Sequence, residues 1–430
     1  MNFLKTHTRY FNQKVTPKAC IIFFLSALFY LYEFVLQVAP SVMAKSMMQT
    51  FHVSAAGFGA ISACYFYAYA PMQLPAGLLF DRFGPRKLIS IALCICAFGT
   101  LFFASTNSIF TAALGRFLIG GGSAFSFIGI LVLISRWFPA RYFALLAGTA
   151  QLMSSIGAMF GEMPLAILIK RLGWREANFV LFGIGLILAI LLWLFIRDFP
   201  EGMPKINTPK RSFKEEWRRL MTVCQNFHTW AIGLYACAIW TPIAVFAALW
   251  GVPYLQQKYM INLITASSLC SMIWLGIGLG SPLLGWFSDK LCLRRLALAL
   301  SAILGLVSTL MILYVPGISI TQMYIILFIF GLGAGGQTLS FAVVKDNNLP
   351  EFVGTASGFN NLAVLIGGAI FQPIIGIILR NSEKVTSLTG ISAYSLSSYN
   401  KALVIMPSCY ALSLLLVLFL INESHPEKKY

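Results

Sequence analysis

A chain of 430 residues that is 58% hydrophobic and only 10% charged is too apolar for a soluble globular protein and reads as an integral membrane protein. Its formal net charge of +17 would point to nucleic acid in a soluble protein. Here about 22 of the 31 Lys and Arg fall on one side once the apolar runs are read as spans, which is the bias of cytoplasmic loops, so the charge is expected to face membrane lipids and no nucleic-acid partner is expected.

Apolar runs of about twenty residues, the length of a spanning helix, are centred near residues 31, 66, 97, 122, 154, 187, 242, 276, 305, 331, 364 and 410. They predict an all-α protein with twelve transmembrane helices and both termini in the cytoplasm. The expected organisation is a tail over 1–18, a six-helix bundle over 19–197, a central cytoplasmic loop over 198–226, a second bundle over 227–421 and a tail over 422–430. The first run is too long for a signal peptide and lacks a small-residue cleavage site, so it is kept as a span.

In the first span Glu33 lies near the middle, and Tyr30 and Gln37 share its helical face. An ionised carboxylate in hydrocarbon is costly, so such a residue faces a cavity or a partner and defaults to function. Glu33, with no evident cation at its depth, reads as a proton-coupling or substrate group carrying its proton at rest. Tyr65 and Tyr69 share a face of the second span, which ends in GLLFDRFGPRK, Gly77 to Lys87. Arg116 in the fourth span and Glu162 in the fifth fall at similar depth on consecutive antiparallel helices, and are expected to form a buried pair, permanent or switching. Glu162 is the second candidate for proton coupling, and Arg116 the candidate for binding a carboxylate in two-pronged fashion.

The central loop carries Phe213, Trp217 and Leu220 at helical spacing among charges. This fits either a short helix in the headgroup region or a solvated linker. The second half has no comparable acid inside a span and offers Trp240, Thr241, Trp250, Gln337, Asn360, Asn361 and Gln372 instead. Tyr30, Gln37, Tyr65, Tyr69, Arg116, Trp240, Gln337, Asn360 and Asn361 are therefore the candidate substrate-binding set. The expected division gives charge to the first half, and hydrogen bonds and aromatic surface to the second.

The chain repeats itself. GWFSDKLCLRR, Gly285 to Arg295, matches GLLFDRFGPRK; Gly120 to Pro139 aligns without gaps on Gly331 to Pro350; and Gly148 falls opposite Gly358. A nearly constant offset predicts two homologous six-helix halves in parallel. Under it Glu162 and Gln372 are equivalent.

GLLFDRFGPRK resembles the turn between the second and third helices of the major facilitator superfamily, with Pro85 at its first basic position; in the second copy Cys292 replaces a glycine. Arg116 followed by Gly120, Gly121 and Gly122 resembles that family's fourth-helix pattern, and Gly173-Trp174-Arg175 its entry to the sixth helix. The resemblance implies two pseudo-symmetric six-helix bundles. It also implies that Gly77, Asp81, Arg82, Gly84, Arg86 and Lys87, with Gly285, Asp289, Arg294 and Arg295, gate the cytoplasmic side against the other bundle. Gly77 would allow close helix approach, Asp81 would offset a helix dipole, and the basic residues would pair with acids of the facing half or with lipid phosphate.

No phosphate-binding G-x-x-x-x-G-K-[ST] loop and no H-E-x-x-H is present, the four histidines are scattered, and the nine cysteines occur singly. An enzyme, a metal site and a cofactor are therefore not expected. The expectation is a monomeric secondary active transporter in a plasma membrane, in a bacterium the inner membrane, working by alternating access. It would take up a small organic acid, amino acid or short peptide together with protons. Proton-driven efflux of amphipathic compounds is the alternative, and a transporter-like receptor a minor one.

Overall fold

Hydrocarbon offers no water to backbone N–H and C=O groups, so apolar runs satisfy them internally as helices. The computed structural model describes residues 15–200, 213–349, 352–382, 384–386 and 392–423. The first six spans are Pro17–Thr50, Ala55–Phe83, Pro85–Ser105, Ile109–Trp137, Phe143–Leu172 and Trp174–Phe195. The second six are Phe227–Tyr259, Leu263–Leu291, Arg294–Tyr314, Ile320–Asp346, Val353–Arg380 and Leu396–Phe419. Among the described residues, 11 of these are apolar and long enough to cross a membrane. The second span is not one of the 11, because Tyr65, Tyr67, Tyr69, Pro71, Gln73 and Pro75 lower its hydropathy; its 29 residues are still ample in length.

The repeat is visible in the packing. The fourth span breaks its helix at Ala124 and Phe125, and the tenth at Gly335, positions equivalent under the sequence offset. A Cβ on Gly120 would collide with the Tyr65 carbonyl, and one on Gly331 with the Ile273 carbonyl. Each half thus uses a glycine to lay its fourth helix directly on its second. The halves meet where the second span packs on the eleventh and the fifth on the eighth.

The two faces of that seam differ. At the face carrying the termini, Gly77, Gly148, Gly285 and Gly354 line the second, fifth, eighth and eleventh spans, and a Cβ on any of them would meet nothing within 4 Å. At the far face, a Cβ on Gly59 would strike the Gln372 carbonyl at 2.6 Å and one on Gly376 would strike the Ala55 carbonyl. The halves are therefore apart at the terminal face and closed at the far face. Gly77, expected to allow close helix approach, does not do so in this conformation because the mouth on its side is open. If the open faces meet later in the cycle, Gly148→Leu and Gly354→Leu should each change stability by less than about 0.5 kcal/mol and slow transport about tenfold or more. Transport assays beside thermal melts would check this; wild-type rates in both variants would show that the faces never close.

Two smaller elements complete the described chain. Phe213–Cys224 is a helix, not an irregular linker; it packs Leu220 and Val223 inward near the start of the eleventh span and leaves Trp217 and Met221 exposed. After the eleventh span, β1 (Lys384–Thr386) and β2 (Ser392–Tyr394) form an antiparallel hairpin with Lys384 opposite Tyr394. Tyr394 reaches the other half, where its hydroxyl accepts the Ala55 N–H at 3.1 Å and so caps the second span.

Candidate functional site

Pro40 lies inside the continuous helix of the first span. Proline has no N–H, so the Leu36 carbonyl one turn earlier loses its helical donor. Arg116 fills that vacancy from the fourth span: Nη1 donates to the Leu36 carbonyl at 2.7 Å and Nη2 to the Gln37 carbonyl at 3.5 Å. Its guanidinium lies 5.0 Å from the centroid of the Tyr65 ring, and its Nε has no partner. The Tyr65 hydroxyl donates to Glu33 Oε1, while Oε2 of Glu33 is unpaired. One tyrosine therefore joins the acid and the cation, with its rim on the carboxyl and its face under the guanidinium. Glu33 has a cation closer than its sequence context indicated, one aromatic ring away.

Arg116 and Glu162 do not pair, contrary to expectation. Depth along two antiparallel helices matched them, but Arg116 turns toward the first and second spans. Glu162 turns toward the seam between the halves, where the Ser41 hydroxyl donates to its Oε1 at 3.0 Å. Trp274 of the eighth span comes near the same carboxyl across the seam, but neither Trp274 Nε1 nor Glu162 Oε2 makes a hydrogen bond.

Aromatic rings bridge the halves. Tyr30 stacks on Phe127 at 5.2 Å and meets Phe34 edge-on at 5.2 Å. Phe34 meets Trp274 at 6.1 Å, and Trp274 meets Trp240 at 6.3 Å. Tyr69 tilts against Tyr65 at 5.5 Å. In the second half Asn360 donates to Ser340 at 2.8 Å, and Gln337 accepts from Thr338 at 3.4 Å. Asn361 crosses the seam to Gln73 at 2.8 Å. Gln372 donates to the Ala244 carbonyl at 2.8 Å, inside the π-helical stretch Ile243–Trp250 of the seventh span, a local unwinding common at functional sites. Glu162 and Gln372 thus occupy equivalent places, each against the first helix of a half.

Phe34, Phe127, Trp274, Ser41, Gln73 and Gln151, whose side-chain oxygen accepts the Tyr30 hydroxyl at 3.5 Å, were missed from the sequence. Two of them carried a usable signal: Gln73 and Gln151 are amides inside spans, the same criterion that selected Gln337 and Asn360. The aromatic residues carried none, because lipid contact explains a lone Phe or Trp equally well.

At the terminal face, Gly84 adopts φ 76° between the second and third spans, a conformation suited to glycine. The space left there holds the Asp198 carboxylate, which accepts the Arg86 N–H at 2.9 Å, while Arg86 Nε donates to the Trp193 carbonyl at 3.0 Å. The second half repeats the device: Glu423 accepts the Arg295 N–H at 3.2 Å, and Arg295 Nε donates to the Val417 carbonyl at 2.8 Å. Arg294 pairs with Asp289 at 2.5 Å and Asp346 at 3.2 Å. Arg82 lies over Phe83, and Lys87 is exposed. Every partner named here lies in the same half as its arginine, as befits a mouth that is open. The side chain of Asp81 is outside the described part of the structure.

The chain resembles known proteins along most of its length. It is 25% identical over 374 residues to the probable galactarate/D-glucarate transporter GudP of Bacillus subtilis strain 168, covering 79% of this chain and 81% of that one. It is 24% identical to the probable galactarate/D-glucarate transporter GarP of Escherichia coli strain K12, covering 97% and 95%. Its fold matches the crystal structure of a bacterial homologue of the human lysosomal transporter Spinster with a TM-score of 0.72 at 16% identity, covering 94% of this chain and 97% of that one. The sequence profile of the Major Facilitator Superfamily matches residues 20–372 and 234–429. With twelve helices in two repeated halves and a seam open on one face, the chain belongs to the Major Facilitator Superfamily and is a membrane transporter, not an enzyme.

Proposed function

We propose that the protein takes up a small hydroxylated organic acid, of the sugar-acid class, together with protons, with its terminal face in the cytoplasm of a bacterial inner membrane. The observation that carries this reading is the Glu33–Tyr65–Arg116 unit. It places a group able to hold a proton beside a cation whose Nε is unoccupied and whose Nη2 bond to Gln37 is long. A substrate carboxylate can take the Nε and Nη2 edge of Arg116 in two-pronged fashion without displacing the shorter bond to Leu36. Tyr65 then transmits the change in charge to Glu33. The amides Gln73, Gln151, Gln337 and Asn361 offer donors and acceptors to hydroxyl groups, and the rings of Tyr30, Phe34 and Trp240 offer apolar faces. The excess of Lys and Arg in loops on the terminal face supports the orientation, and the sugar-acid relatives support the substrate class.

A thermal-shift screen of the purified protein tests the reading, with galactarate, glucarate and galactonate set against amino acids, dipeptides and lipophilic cations at neutral and acid pH. A true substrate at about 100 times its dissociation constant stabilises the fold by about 2.7 kcal/mol. The expected result is a shift with sugar acids that is larger at acid pH. A shift with lipophilic cations alone would overturn the reading in favour of efflux.

A further inference from the structure

Glu33 and Glu162 are both fully buried, but they differ in what they touch. Glu33 accepts the hydroxyl of Tyr65, which lies within its own half. Glu162 lies on the seam, in the half of the fifth span nearer Leu172, on the closed far side. The first span gives it Ser41; the eighth, from the other half, brings Trp274 near it. Neither of these is a cation, and Arg116 is committed to the Leu36 and Gln37 carbonyls. Trp274 is itself held in place by Phe34 and Trp240.

We propose that Glu162 is a proton-operated lock on the far-side mouth and that Trp274 is its positioning residue. The inference rests on the proton-coupled reading above and assigns to Glu162 a task separate from that of Glu33. With its proton, the carboxyl is a neutral group whose O–H the Ser41 oxygen can accept once that hydroxyl turns, and whose other oxygen can take the Trp274 indole N–H across the closed seam. After the proton leaves to water, the seam encloses an anion with one hydroxyl, one indole N–H and no countercharge, an arrangement that hydrocarbon disfavours. Parting the halves at the far side hydrates the anion and relieves that cost. Proton binding from the far side therefore shuts this mouth, and proton loss lets it reopen. The closed state holds more protons than the open one, so raising the pH shifts the balance toward opening.

Spin labels on Ser108→Cys and Pro316→Cys, on far-side loops of the two halves, report the opening in a full-length chain whose native cysteines are replaced. In the otherwise unmodified chain the ratio of open to closed is expected to rise with pH, by up to about tenfold per unit for one proton. Glu162→Gln should hold the closed distance at every pH. Trp274→Phe keeps the ring packing but loses the N–H, and should move the midpoint of the response without abolishing it, which a purely packing role would not do. A pH response in Glu162→Gln equal to that of the unmodified chain would overturn the proposal, as would an unmoved midpoint in Trp274→Phe. Uptake driven by a pH gradient, measured in the same preparations, separates the two readings. Absent proton-driven uptake with an intact Glu162 response removes the coupling reading and leaves the lock; proton-driven uptake with no Glu162 effect removes the lock alone.

Discussion

Replacing Glu33 by Gln is expected to lower accumulation of the solute against its gradient by about tenfold per unit of imposed pH gradient, while exchange of labelled for unlabelled solute persists. The amide oxygen can still accept the Tyr65 hydroxyl, so the junction of the first and second spans keeps its packing and the tyrosine stays under Arg116. What is lost is the ability to take up and release a proton. For each proton moved with the solute, each unit of pH gradient supplies about a tenfold concentration ratio, or about 1.4 kcal/mol. The variant should therefore reach a ratio about tenfold lower than the wild type per unit of pH gradient, keeping only what the Glu162 proton supplies. Proteoliposomes with an imposed pH step measure both modes in one preparation. Wild-type accumulation in the variant would remove Glu33 from coupling.

The second large effect is expected at Arg116, where two tasks can be separated. Arg116→Gln leaves the Leu36 carbonyl, freed by Pro40, without its donor in a buried setting, at a cost of about 2–4 kcal/mol. Adding Pro40→Ala restores a backbone N–H in helical register with Leu36 and should recover about 1–2 kcal/mol of that loss. Transport is expected to stay absent in the double variant, because the helix is repaired but the group that receives the carboxylate is missing. Thermal melts and uptake on the same samples decide the matter. Recovery of both would show that Arg116 serves only as the donor to the carbonyl that Pro40 frees, and the organic-acid reading would lose its cation.

Much of the fold was legible because its signals are one-dimensional. Apolar runs of the right length, the matched turns at Gly77 and Gly285, and the alignment of Gly120–Pro139 with Gly331–Pro350 required no knowledge of neighbours. The break at Ala124 and Phe125 and its counterpart at Gly335 fall inside that alignment. The site was legible only in part. Glu33, Arg116 and Glu162 stood out because charge in hydrocarbon is rare, yet the expected Arg116–Glu162 pair is absent. Sequence position gave their depth but not the direction in which each helix turns its side chain. Pro40 did carry a clue to the partner of Arg116, since a proline inside a span always frees a carbonyl.

From its sequence alone this chain was determined to be a membrane protein of twelve helices, doubled from a six-helix unit, with three buried charges in its first half. Hydrophobic length and repeat spacing suffice for that, because each span must satisfy its own backbone. Only the tertiary structure decided that Arg116 holds the first span, that Tyr65 links it to Glu33, that Glu162 faces Trp274 across the seam and that the terminal face is the open one. These contacts depend on the rotation of each helix about its axis and on how two preformed halves lean together, and many residues far apart in the chain set both at once.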